Sequence, residues 1–176
     1  MITQLKRTPA LYLVGFMGAG KTVIGRLVAE RLGWRFVDLD DDIEAREKST
    51  ISAIFDERGE EDFRRIETAA LRARIGEVEC GRPTVIALGG GAFAQPENFV
   101  LLMEHGIVIW LDCPLEVVRR RVAQATHRPL ARDPEQFEQL FHARRQTYRR
   151  AHHAVPITSD DPAMAAEAIL RLPIFK

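Results

Sequence analysis

The residues best suited to chemistry form a glycine-rich segment near the N-terminus. Residues 15–22 read GFMGAGKT and satisfy the pattern G-x-x-x-x-G-K-[ST]. Glycines allow a triphosphate to approach the backbone closely, and amide N–H groups at a helix N-terminus then point at its oxygens. Lys21 can reach the β- and γ-phosphates, and the Thr22 hydroxyl can bind the Mg²⁺ that bridges them. The segment therefore predicts a nucleoside triphosphate site; the alternative is a glycine-rich turn that matches by accident.

A run of aspartates follows the second predicted strand, where the sequence reads VDLDDD. Strand alternation would place Asp38 and Asp40 on the same side, at the carboxyl edge where ligands bind in open α/β sheets. One carboxylate there can hold Mg²⁺ through water, and the other can align or deprotonate an attacking hydroxyl. The alternative is that both aspartates only begin a helix. Asp41 and Asp42 fit the first turn of a helix that continues through Ile43.

A second glycine cluster follows the third predicted strand and consists of Gly89, Gly90 and Gly91. Consecutive glycines leave backbone amides free to bind a small, oxygen-rich ligand. A tight turn into a helix explains the same residues equally well. The local sequence leaves both interpretations open.

Arginines supply the remaining candidates. Arg64 lies on a predicted helix with Glu67 three residues on, close enough to fix the guanidinium by an ion pair. A fixed guanidinium can bind a carboxylate through two hydrogen bonds. Arg128 lies in segment 125–134, whose prolines and lack of apolar periodicity predict a mobile loop or lid able to cover ATP phosphates. The alternatives are a plain surface connection for the segment and a solvated surface charge for either arginine.

The elements that must position these candidates alternate between apolar runs and stretches with helical spacing. This alternation predicts an α/β fold with a parallel sheet built from βαβ units. Strands are predicted at residues 11–14, 35–38, 84–88, 107–111 and 155–158. Helices are predicted at residues 21–32, 51–58, 61–75, 97–104, 115–125, 135–152 and 163–172, and Gly33 is the expected stop of the first.

Composition limits the class of protein. The chain has 176 residues, 46% of them hydrophobic, and its 25 basic and 25 acidic residues give no net charge. This length favours a single domain, residues 1–176, and the composition excludes disordered, collagen-like and disulfide-scaffold proteins. Zero net charge argues against nucleic acid or an anionic membrane as the main partner.

The cysteines and the N-terminus indicate the compartment. Cys80 and Cys113 form no CxxC pair, so neither a disulfide framework nor a zinc site is indicated. We expect both to be small buried hydrophobes. The apolar run at residues 11–14 is too short for a signal peptide or a membrane span, so we expect a cytoplasmic protein.

Phosphate-binding loops of this kind occur in nucleotide-driven switches, ATPase motors and small-molecule kinases. A Ras-type switch would carry an N-K-x-D motif, yet the only asparagine is Asn98. Residues 56–59 match the D-x-x-G switch pattern, but their helical context predicts a helix end at Gly59. A motor would need more chain for an oligomerising domain. A small-molecule kinase is therefore favoured.

Together these motifs resemble those of the shikimate kinases, a family with the nucleoside-monophosphate-kinase-like P-loop fold. The resemblance rests on GFMGAGKT, FVDLDDDIE, FRRIE, LGGGA, RPL and R-x-x-x-Y, which occur in family order over most of the chain. It implies a three-layer α/β/α P-loop fold with a five-stranded parallel sheet. It further implies a small substrate-binding subdomain near residues 39–76, a mobile lid near residues 125–134, and a monomer.

The resemblance also implies a reaction: transfer of the γ-phosphoryl group of ATP to the 3-hydroxyl of shikimate, giving shikimate 3-phosphate and ADP. This is a step of chorismate and aromatic amino-acid biosynthesis. The implied ATP-binding residues are Gly18, Ala19, Gly20, Lys21, Thr22 and Arg128. The implied shikimate-binding residues are Asp40, Arg64, Gly89, Gly90, Gly91 and Arg144. Thr22 and Asp38 are the implied Mg²⁺ residues, and the implied catalytic residues are Lys21, Asp40 and Arg128.

Two positions depart from the commoner family pattern. Arg144 and Arg145 are adjacent ahead of Tyr148, and Arg144 is assigned by its distance from that tyrosine, which leaves Arg145 as a rival for the carboxylate. Val23 stands where a hydroxyl residue is common, but Thr22 retains the metal-binding hydroxyl, so little effect is expected. Two other functions stay open: a related P-loop kinase for gluconate or a nucleoside monophosphate, and a non-catalytic regulator that kept the nucleotide loop.

Overall fold

Five parallel strands form the centre of the molecule. The computed structural model describes residues 10–124 and 133–175. The strands are β1 (Ala10–Val14), β2 (Arg35–Asp38), β3 (Thr84–Ala87), β4 (Gly106–Asp112) and β5 (His153–Pro156), in the spatial order β2-β3-β1-β4-β5. The predicted five-stranded parallel sheet is confirmed, although β5 begins and ends two residues earlier in the sequence than predicted.

Helices cover both faces of this sheet. In the described part of the chain they are α1 (Lys21–Leu32), α2 (Leu39–Glu47), α3 (Ile51–Glu79), α4 (Pro96–His105), α5 (Leu115–Gln124), α6 (Pro134–Tyr148) and α7 (Pro162–Leu170). Short 3₁₀ helices occupy Ala92–Ala94 and Pro173–Phe175. All residues of β1 and β3 are buried although their side chains alternate between the two faces. Since α1 packs on α7 and α3 packs on α4, the fold has the predicted three layers.

The strand register brings the candidate residues to one edge of the sheet. Leu13 of β1 pairs with both Ala87 of β3 and Ile109 of β4. Asp38 of β2 also pairs with Ala87. The segments that follow β1, β2 and β3 therefore leave the sheet at the same level. Strand order reverses on the two sides of β1, the kind of position at which open α/β sheets bind ligands.

The helices confirm most predicted segments and extend several of them. α1 has its predicted bounds and is capped by Gly33. The predicted helices at residues 51–58 and 61–75 are both parts of α3, which continues to Glu79 and is interrupted at Gly59 by non-helical backbone angles (φ 81°, ψ 171°). The expected helix end at Gly59 is therefore confirmed, since the helical backbone is broken there and the two predicted helices lie on either side of the break.

Two expectations fail at element ends. Cys80 is exposed, whereas Cys113 is buried as expected. Cys80 directly follows α3, in a turn whose next residues, Gly81 and Arg82, also face solvent. The helix predicted to run to residue 152 ends at Tyr148, because the Ala151 N–H bonds back to the Tyr148 carbonyl as the chain turns into β5. No helix in the described ranges has the length and apolar character needed to cross a membrane.

Candidate active site

A cavity of ≈ 1320 Å³ lies at the carboxyl edge of the sheet. Most of the predicted site residues line it, and they come from five separate segments: Gly18, Gly20, Lys21, Thr22, Asp38, Asp40, Arg64, Gly89, Gly90, Gly91 and Arg144. Ala19 is instead fully buried, and its N–H donates to the Phe16 carbonyl. The predicted lid arginine, Arg128, lies outside the described residues, as does most of segment 125–134.

The glycine-rich loop joins β1 to α1, as predicted. Gly20 is the N-cap of α1 and has left-handed backbone geometry (φ 93°). The Lys21 ammonium donates hydrogen bonds to the Gly15 carbonyl at 2.8 Å and to the Phe16 carbonyl at 3.0 Å. These bonds hold the ammonium against the loop. The lysine of the G-x-x-x-x-G-K-[ST] pattern reaches the phosphate oxygens from this position.

Thr22 and Asp38 meet beside this loop. The Thr22 hydroxyl donates to Asp38 Oδ2 at 2.6 Å. The other oxygen of Asp38 accepts from the Asp40 N–H at 3.1 Å, so Asp38 is also the N-cap of α2. The two interpretations of Asp38, helix start and site residue, are therefore compatible. The argument from strand alternation is wrong, because β2 ends at Asp38 and Asp40 belongs to the first turn of α2.

Asp40 is half-buried among other acidic groups. Burial raises the pKa of its carboxyl, and the negative charges of Asp38, Glu44 and Asp41 raise it further. The Lys21 ammonium lowers the pKa and offsets part of this effect. A carboxylate with a raised pKa accepts a proton more readily than an ordinary one. The geometry therefore suits Asp40 to align and deprotonate a hydroxyl.

Arg64 is held in place by the residue predicted to hold it. Its Nη1 donates to Glu67 Oε2 at 2.9 Å, and the Glu67 side chain is only 1% exposed. Burial raises the pKa of the Glu67 carboxyl, and the Arg64 guanidinium counteracts part of that rise. Arg64 also stacks over the Phe63 ring, 5.2 Å from its centroid. The guanidinium is thus fixed at the cavity wall.

The second glycine cluster packs directly against these two charged side chains. A Cβ at Gly89 would lie 2.8 Å from Asp40 Oδ1, and one at Gly91 would lie 2.5 Å from Arg64 Nη2. The Ala92 N–H bonds to the Gly89 carbonyl, which closes a tight turn into the 3₁₀ helix. The cluster is therefore a turn, and the same turn lines the cavity.

The two adjacent arginines of α6 differ in their surroundings. Arg144 lines the cavity. Arg145 donates to Asp112 Oδ2 at 2.8 Å and lies over the Trp110 ring, 5.5 Å from its centroid. Since Arg145 already has a carboxylate partner, the geometry favours Arg144 as the residue available to a ligand.

Several cavity residues escaped the sequence argument. Arg121 of α5 donates to the Gly18 carbonyl at 2.9 Å and pairs with Asp160 at 3.1 Å. Asp160 and Pro162, between β5 and α7, line the same end of the cavity. Only their position in the chain could have indicated them. Arg121 lies in the helix after β4, and Asp160 and Pro162 follow β5, so both segments begin at the carboxyl edge where ligands bind.

Comparison with known proteins decides the family. The family model described as Shikimate kinase matches residues 17–172. The chain belongs to the shikimate kinase family. A shikimate kinase from Persephonella marina is 39% identical over 161 residues, which cover 91% of this chain and 96% of the relative. One from Synechococcus sp. (strain CC9605) is 43% identical over 167 residues, covering 93% of this chain and 81% of the relative.

Solved structures of the shikimate kinase family agree. Shikimate kinase from Acinetobacter baumannii in complex with shikimate superposes with a TM-score of 0.86 at 36% identity, covering 94% of this chain and 93% of that one. The resemblance drawn from the motifs is confirmed, as is the P-loop kinase fold. As a member of this family the chain is an ATP-dependent kinase.

Proposed function

We propose that this chain phosphorylates the 3-hydroxyl of shikimate with ATP, giving shikimate 3-phosphate and ADP for chorismate and aromatic amino-acid biosynthesis. One arrangement carries the proposal. The Asp40 carboxyl and the Arg64 guanidinium both pack on the glycine turn and face the cavity that the P-loop lysine also lines. A single space therefore offers a phosphate site, a carboxylate site and a proton acceptor, which is what transfer to a hydroxy acid requires.

Acceptor binding is assigned to positive charge and free amides. Arg64 and Arg144 bind the shikimate carboxylate, and the fixed fork of Arg64 allows two parallel hydrogen bonds. The amides of the turn Gly89–Gly91 bind acceptor oxygens. The support is that these groups, which come from α3, α6 and the turn after β3, line the same cavity. Residues 39–76 would then form the acceptor subdomain.

The transfer step follows from the same positions. The acceptor oxygen forms a bond to the γ-phosphorus as the bond from phosphorus to the β,γ-bridging oxygen breaks, and the hydroxyl proton passes to Asp40. Lys21 neutralises charge on the phosphoryl group. Arg128 does the same from the proposed lid at residues 125–134, which also excludes water. Positioning and electrostatics supply most of the catalysis.

Thr22 and Asp38 are the residues that would hold Mg²⁺. A hydroxyl and a carboxylate 2.6 Å apart are hard oxygen donors of the kind that Mg²⁺ prefers, with other positions left to phosphate and water. Among residues 10–124 and 133–175, no group of three or more His, Cys, Asp or Glu side chains could hold a metal. When bound, Mg²⁺ neutralises charge on the β- and γ-phosphates.

An acceptor panel tests the proposal. ADP release is measured with shikimate, gluconate and nucleoside monophosphates, and ATP binding is measured separately by calorimetry. We expect the wild-type protein to release ADP with shikimate only. The Lys21→Ala variant should release ADP with none of the acceptors. Faster ADP release with gluconate or a nucleoside monophosphate would show that this compound, and not shikimate, is the acceptor. ATP binding without transfer to any acceptor would favour the non-catalytic regulator. Analytical ultracentrifugation checks the proposed monomer.

A further inference from the structure

Tyr148 ends α6 and bonds to the glycine turn. Its hydroxyl donates to the Gly90 carbonyl at 2.7 Å, across 58 positions of sequence. The side chain is 2% exposed, and its ring packs beside Trp110 at a centroid distance of 6.2 Å. Tyr148 lies one helical turn after Arg144, which lines the cavity. The last turn of α6 therefore faces the acceptor side of the site with both a guanidinium and a hydroxyl.

This hydroxyl controls the direction of one backbone amide. The Gly90 carbonyl and the Gly91 N–H belong to the same planar trans peptide unit and point in opposite directions. A bond that fixes the carbonyl therefore fixes where the N–H points. In the described part of the chain, neither the Gly90 N–H nor the Gly91 N–H has a protein acceptor, so both amides are available to a ligand.

The same peptide unit rests against Arg64. A Cβ at Gly91 would lie 2.5 Å from Arg64 Nη2, so the guanidinium occupies the space beside the glycine. Glycine backbone has more conformational freedom than any other, so this turn needs an external anchor to keep a single orientation. The Tyr148 hydroxyl is such an anchor, and it comes from the end of α6.

We propose that Tyr148 is a positioning residue for the acceptor: its hydroxyl holds the Gly90–Gly91 peptide so that the Gly91 amide faces the bound hydroxy acid beside Arg64. The inference rests on the proposed function and adds a residue to it. Tyr148 touches neither substrate and acts only through the glycine turn.

The substitution Tyr148→Phe removes the hydroxyl and leaves the ring in the core. Loss of one hydrogen bond should raise the KM and the Kd for shikimate about three- to tenfold, with the KM for ATP unchanged. The other tyrosine of the chain supplies a matched control. Tyr12 is fully buried and its hydroxyl donates to the His105 carbonyl, at the amino edge of the sheet. Tyr12→Phe should leave both KM values unchanged.

Wild-type protein provides a second measurement that does not depend on folding of a variant. Exchange of the Gly91 amide, followed by NMR, should slow when shikimate binds. Three results would each overturn the inference and leave the proposed function intact. They are an unchanged shikimate KM in Tyr148→Phe, an equal rise of that KM in Tyr12→Phe, and a Gly91 amide exchange rate that shikimate does not change. Wild-type protein that transfers no phosphate to shikimate would overturn both.

Discussion

The role proposed for Asp40 in catalysis comes at a cost in stability. Its carboxyl is half-buried, and burial together with Asp38 and Glu44 raises its pKa. The raised pKa makes the carboxylate a better proton acceptor. It also means that the folded protein binds this proton more tightly than the unfolded chain does, so ionisation of Asp40 lowers the free energy of unfolding.

Asp40→Asn should therefore lose activity and gain stability. Without the proton acceptor we expect kcat to fall about a hundredfold or more, while the Kd for ATP stays near the wild-type value and Tm rises. Steady-state kinetics, calorimetry and thermal melts measure the three quantities. Wild-type turnover in this variant would remove Asp40 from the mechanism.

The pH dependence follows from the same shift. The folded pKa lies above the ordinary value of 3.8. The proposed mechanism needs the ionised form, so kcat should fall as the pH drops through the raised folded pKa. The stability penalty is absent below the unfolded pKa and complete above the folded one. The Tm advantage of Asp40→Asn should shrink as the pH is lowered from 8 towards 4. A constant advantage would contradict this assignment.

Arg144 and Arg145 can be separated by a matched pair of alanine variants. Arg144→Ala should raise the shikimate KM about tenfold or more, because a hydrogen-bonded charge is lost from the acceptor site. Arg145→Ala should leave that KM near wild type and lower Tm, because it leaves Asp112 without its 2.8 Å partner. Kinetics and melts of both proteins decide the question, and the reverse pattern would assign the carboxylate to Arg145.

At the scale of elements, the turn after β3 provides the contact surface for two charged side chains from two different helices. Asp40 of α2 packs on Gly89, and Arg64 of α3 packs on Gly91. The end of the turn is held by α4, because Asn98 donates to the Ala92 carbonyl at 3.2 Å and accepts from the Thr68 hydroxyl of α3. The turn therefore sets the distance between the two proposed acceptor-binding side chains, Asp40 and Arg64.

Gly91→Ala tests this element directly. Its Cβ would displace the Arg64 guanidinium rather than backbone, and φ at this position (−97°) suits alanine. We expect kcat/KM for shikimate to fall about ten- to a hundredfold through misplacement of the guanidinium, and Tm to fall as well because the ion pair with the buried Glu67 is strained. Gly76→Ala, where a Cβ would meet nothing within 4 Å, is the control. Equal kinetics for the two variants would contradict this role of the turn.

At the scale of the whole molecule, the sequence predicted the sheet, the phosphate loop and the Arg64–Glu67 pair, because each depends on local spacing. The argument from strand alternation misplaced Asp40, because β2 stops at Asp38 and the Asp38 side chain caps α2, a helix start that the sequence offered only as the alternative. The sequence missed Arg121 and the bond from Tyr148, because their partners lie 103 and 58 positions away. Contacts of that range depend on packing, which spacing along the chain does not encode.

Ligand binding should stabilise the whole fold, because the site residues come together from distant parts of the chain only when it is folded. Shikimate at a hundred times its Kd adds about 2.7 kcal/mol to the free energy of unfolding, which for a domain of this size raises Tm by about 5–10 °C. Arg64→Ala should lose most of the shikimate-induced rise and keep the rise caused by ATP. Loss of both would indicate a general defect rather than one at the acceptor site.

Three of the proposed acceptor-binding features lie in one continuous stretch, residues 39–91. This stretch holds Asp40, Arg64 and the glycine turn, while the phosphate loop and Asp38 precede it and Arg121 follows it. A homologue with another acceptor could therefore arise by exchange of this stretch together with α6, with the phosphate loop, Asp38 and Arg121 unchanged.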